Sequence, residues 1–136
     1  MKQFYSVKSI NRVRSILDNI DVVDANVAQV EGDTVVYIKN ANNIITGDFI
    51  GKRIYLQILY VKEGTITVEY NKKNELTKLS CYNMVRDEIT YGGKGKEVII
   101  NENEIAIFEL DEALEIKQIE SSKYFYIVAS KYGGIK

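Results

Sequence analysis

Residues 51–70, GKRIYLQILYVKEGTITVEY, decide the fold. Two strong strand signals, 54–61 and 65–70, surround Lys62-Glu63-Gly64, and a short glycine-containing link between β-rich runs predicts a hairpin. In the first run Tyr55, Gln57, Leu59 and Val61 share one face and Ile54, Leu56, Ile58 and Tyr60 the other, because side chains alternate with period two. Neither face is strongly polar. A strand apolar on both sides belongs inside a sandwich or barrel, between a packed layer and either a second layer or a lined cavity. The hairpin is therefore expected to wall a pocket.

Upstream, Val7, Ile10, Val13, Leu17 and Ile20 recur at three- and four-residue steps behind a capping Ser6, which predicts an amphipathic helix over 7–20 lying across the sheet. From Asp24 the pattern turns to short β runs. Residues 28–30 and 34–39 flank Glu31-Gly32-Asp33, a second hairpin signal, and 44–50 leads into the central stretch. Downstream, 76–80, 98–100, 104–110, 114–119 and 124–130 read as strands separated by polar turns such as Asn101-Glu102-Asn103 and Glu120-Ser121-Ser122. Residues 84–91 fit no one pattern. About nine short strands and one helix indicate an all-β sandwich or barrel of the jelly-roll type, one domain over 1–136 with its β part at 24–131.

Composition narrows the function classes. With 18 basic and 19 acidic residues the net charge is −1, which gives no reason to expect nucleic acid or an anionic membrane as partner. No apolar run approaches the ~20 residues that span a bilayer, and the first residues lack an apolar signal core, so a cytoplasmic protein is expected. The chain has no histidine and one cysteine, Cys81, which reads as a small packing residue. That excludes imidazole metal sites, thiolate clusters within one subunit, and Ser-His or Cys-His nucleophiles. The glycine cluster Gly92-Gly93-Lys94-Gly95 precedes a strand signal rather than a helix, so it reads as a turn and not a phosphate cradle.

Gly51-Lys52-Arg53-Ile54-Tyr55, Gly64, Val68-Glu69-Tyr70, Tyr82, Asp87, Gly93, Gly95 and the run Phe108-Glu109-Leu110-Asp111-Glu112-Ala113 resemble the framework of the YhcH/YjgK/YiaL family, which includes the small subunit of the evolved β-galactosidase. The resemblance implies a cupin-like jelly-roll, a sugar-related small-molecule pocket, activities such as sialic-acid anomerisation, and in several members a divalent metal on histidines and carboxylates. This chain departs from that pattern at the donor positions, where it has Ile50, Lys52, Gln57, Leu59 and Asp111. Only Asp111 is an ordinary transition-metal ligand, and no metal or other cofactor is expected.

Lys52 and Asp111 either face each other, directly or through water, across the former metal region with the ammonium taking the place of the cation, or both point to solvent at a strand end. Ligand-binding candidates are Lys52, Arg53, Tyr55, Gln57, Leu59, Glu69 and Asp111, with Tyr82 and Asp87 at further framework positions and Thr65, Thr67 and Glu69 alternating along the partner strand. Glu69, Asp111 and Lys52, with Tyr55, are the candidates for acid–base chemistry. Three functions remain open: a metal-free protein that binds a sugar or sugar acid without turnover, a metal-independent anomerase or epimerase, and a partner subunit whose pocket is closed by Leu59 and Ile50. A homodimer is the expected assembly.

Overall fold

The chain does not turn back at Lys62-Glu63-Gly64. In the computed structural model, which describes residues 3–6, 28–31, 35–41 and 44–130, Tyr55–Lys72 is one continuous strand of 18 residues. The strands expected at 114–119 and 124–130 are likewise one, Glu112–Ser130. These two long strands pair antiparallel from end to end, Tyr55 opposite Ser130 and Lys72 opposite Glu112.

Both expected turns are bends within strands, and the bends lie against each other. Gly64 has φ +83°, and a side chain there would run into the Glu120 carbonyl and the Ser121 Cα. The pairing slips between Glu120 and Lys123, where Ser121 Oγ donates to the Glu63 carbonyl and Ser122 Oγ donates to the Glu63 carboxylate at 2.7 Å. A glycine at positive φ serves a bulged bend as well as it serves a hairpin loop.

In chain order the strands are β1 (Gln3–Ser6), β2 (Ala28–Glu31), β3 (Val35–Lys39), β4 (Phe49–Gly51), β5 (Tyr55–Lys72), β6 (Thr77–Lys78), β7 (Ile89–Gly92), β8 (Lys96–Ile100), β9 (Glu104–Phe108) and β10 (Glu112–Ser130). All their pairings are antiparallel. Beside the first half of β5 and its partner half of β10 the order is β1-β9-β5-β10-β3-β2; beside the other halves it is β8-β5-β10-β4-β7-β6. An extended chain would hold Gln57 and Tyr70 roughly 40 Å apart. Yet the Tyr70 ring meets Phe108, the residue paired with Gln57, edge-on at 5.9 Å. The long strands therefore fold over at the bend, and their halves face each other.

Leu59, Val61, Ile66, Val68, Phe108 and Leu114 fill the space between these layers, each fully buried side chain of this size contributing about 1.5–3 kcal/mol. Odd positions of β5 reach this core before the bend and even positions after it. On the opposite face the halves differ. Leu56, Ile58 and Tyr60 are buried there too, whereas Thr65, Thr67, Glu69 and Asn71 are partly exposed.

The all-β reading stands, with β2 and β3 paired around 32–34 as expected. Strand β1, which the sequence pattern does not announce, pairs with β9. The strands expected at 44–50 and 76–80 shrink to β4 and β6, and 84–91 resolves into a turn followed by β7. The helix expected at 7–20 lies outside the described residues. Among those described, no helix is long and apolar enough to cross a membrane.

Candidate functional site

Asp87 organises the approach to the site. Its backbone takes a left-handed φ of 50° in the turn before β7, and its side chain is buried at 4% exposure. One carboxylate oxygen accepts the Arg53 N–H at 2.9 Å; the other accepts those of Ile54 at 3.0 Å and Tyr55 at 3.1 Å. The Tyr82 hydroxyl donates to it at 2.6 Å. Burial pushes the Asp87 carboxyl up, but the Tyr82 hydroxyl and the three N–H groups together outweigh burial and hold it below the usual carboxylate range. The turn is thereby tied to the start of β5. Outside this knot the Arg53 guanidinium lies 4.1 Å over the Tyr82 ring.

The same knot brings residues 86–88 over a cavity of about 220 Å³. Lys52, Gln57, Arg86, Glu88, Thr46 and Tyr126 supply its polar lining; Ile44, Ile50, Leu114 and Ile116 supply the apolar part. Because β10 runs through both layers, Leu114 and Ile116 on one half meet Tyr126 on the other across this space. Lys52 Nζ donates to the Arg86 carbonyl at 3.0 Å and the Asp87 carbonyl at 3.2 Å. Burial lowers the Lys52 pKa, while Glu88 and Asp87 act in the opposite direction. Gln57 Nε2 donates to the Ile50 carbonyl at 3.0 Å, and its Oε1 accepts the Tyr126 hydroxyl at 2.7 Å. Burial first, then the charges of Glu88 and Asp87, raise the Tyr126 phenol far above its ordinary value. Tyr126 is thus a neutral donor, oriented by Gln57.

Of the residues singled out from the sequence, Lys52 and Gln57 come together in the cavity. Arg53 stays exposed on Tyr82, and Tyr55 is half-buried at the start of β5. Leu59 lies wholly in the core. Glu69 is on the outer face, accepting the Gly95 N–H at 2.6 Å and ion-paired with Lys117 at 3.6 Å. Asp111 is exposed and ion-paired with Lys72 at 2.9 Å. The pairing of Lys52 with Asp111 is corrected accordingly, and of the alternative only half holds: Asp111 points to solvent, whereas Lys52 is buried. The ammonium is held by two backbone carbonyls instead, since the turn carrying Arg86 and Asp87 folds onto it while the β9–β10 connection carries Asp111 to the surface.

Four cavity residues with useful chemistry escaped the sequence reading: Tyr126, Arg86, Glu88 and Thr46. Tyr126 carried one available signal, a hydroxyl recurring on alternate positions of a run that is otherwise apolar on both faces. A transition-metal centre does not fit the residues at the positions where the resemblance places donors: an ammonium, an amide already bonded on both sides, a core leucine and a surface carboxylate. Among the described residues no three His, Cys, Asp or Glu side chains are arranged to hold a metal ion. No family model matches the chain.

Proposed function

We propose that the protein is a metal-free, cupin-like jelly-roll that binds a small sugar or sugar acid in the Lys52–Tyr126 cavity without turning it over. The observation that carries this reading is the mixed lining: two cations, Lys52 and Arg86, a carboxylate, Glu88, and the bonded pair Gln57–Tyr126, all beside a floor of Ile50, Leu114 and Ile116. A guanidinium and an ammonium suit a carboxylate, a glutamate and an amide suit hydroxyls, and the apolar floor suits the C–H face of a sugar ring. The volume falls below the roughly 300–1,000 Å³ of drug-sized pockets, which favours a compact ligand. Binding is favoured over turnover because, of the four acid–base candidates, Glu69 and Asp111 lie away from the cavity and Tyr55 is not among its lining residues.

A thermal-shift series over neutral sugars, their uronic and aldonic acids, and simple carboxylates tests this reading. A saturable upward shift with the acids, reduced in Arg86→Gln and in Tyr126→Phe, is the expected result. No shift with any sugar or sugar acid at millimolar concentration sinks it.

A further inference from the structure

We propose that Lys52 condenses with carbonyl compounds, its amine forming a reversible imine with a small aldehyde or ketone in the cavity. The inference rests on the cavity being a ligand site. An amino nitrogen is tetrahedral, and the Arg86 and Asp87 carbonyls take two of its directions. No other hydrogen-bond partner for Lys52 Nζ is present among the described residues, and the residue lines the cavity. Loss of one proton leaves both N–H···O bonds in place and turns the freed lone pair toward the cavity. The charged groups that act on this nitrogen are the Glu88 and Asp87 carboxylates, and Arg86 and Tyr126 are among the other residues lining the cavity.

Glu88 is the acceptor for the departing proton. The amine then attacks the carbonyl carbon, forming a C–N bond and a carbinolamine. Expulsion of the former carbonyl oxygen as water, with one proton from the nitrogen and one returned from Glu88, gives the protonated imine and restores the Glu88 carboxylate. Nothing is oxidised or reduced, and no co-reactant is needed. Burial shifts the ammonium toward the amine, the direction the reaction requires. Lys78 and Lys96, by contrast, are exposed and do not line this cavity.

The test is reductive trapping. The full chain is incubated at neutral pH with glyoxylate and cyanoborohydride, then digested and mapped by mass spectrometry. The expected result is a carboxymethyl adduct on Lys52 several-fold above that on Lys78 and Lys96, and its absence in Lys52→Arg while the surface adducts persist. An adduct on Lys52 no greater than on the surface lysines overturns the proposal, and because this comparison is made on the native sequence it holds whether or not Lys52→Arg folds. The two readings fail separately. A thermal shift with a sugar acid but no Lys52 adduct removes the imine and leaves binding; a Lys52 adduct with no sugar-acid shift does the reverse.

Discussion

The two halves of β5 have nearly the same β-forming composition but opposite situations. Before the bend, Leu56 to Val61 are buried on both faces; after it, Ile66 and Val68 face the core while Thr67 and Glu69 look outward. The difference is written in the residue types, since the first half alternates apolar with apolar and the second alternates apolar with polar. A strand's two faces thus report how many layers cover it, and one strand can change layers part-way.

The harshest test of this contrast is to remove the bend. Gly64→Ala must place a methyl group against the Glu120 carbonyl at φ +83°. The backbone strain and overlap are expected to destabilise the fold by about 3–5 kcal/mol, read from urea unfolding. An unchanged midpoint would mean that the two halves do not need this sharp a turn. On the outward face of the doubly covered half, Ile58→Ala is expected to cost about 2–5 kcal/mol. At the equivalent outward position of the second half, Thr67→Ala is expected to stay within about 0.5 kcal/mol. Similar losses at the two sites would erase the distinction.

The knot where β5 begins ranks between these. Asp87→Ala leaves the N–H groups of Arg53, Ile54 and Tyr55 without their acceptor, at a cost of about 3 kcal/mol. Since the folded carboxyl lies below its unfolded value, the contribution of Asp87 is fully present above the unfolded pKa of about 3.9 and is lost as pH falls through the folded pKa. Acid titration of native and Asp87→Asn proteins by circular dichroism should therefore diverge above that window and converge below it. The smallest effect is reserved for Asp111→Ala. Its ion pair with Lys72 is open to solvent on both sides, and no measurable change in urea midpoint is expected.

How much was legible follows from which signals are local. Period-two alternation is local, so the β class and most strand positions could be read directly. The Lys62-Glu63-Gly64 signal is also local, but it specifies only a sharp change of backbone direction. Whether the chain then pairs with itself or continues depends on residues 112–130, whose own misread turn at Glu120-Ser121-Ser122 sits against Gly64. The site was half legible for a related reason. Lys52 and Gln57 lie in the stretch that draws attention, whereas Tyr126 bonds to Gln57 from 69 positions away and Arg86 arrives on a turn of no clear pattern. Asp111 stayed between two readings because carboxylate chemistry is visible in a sequence and solvent exposure is not.

Because β5 and β10 each thread both layers, neither layer can peel away without tearing a hydrogen-bond ladder in mid-strand. Separation of the layers as independent foldons is thereby ruled out by connectivity. Amide hydrogens of Ile58 in one layer and Val68 in the other should exchange through the same global opening, with matching protection factors and a common denaturant slope.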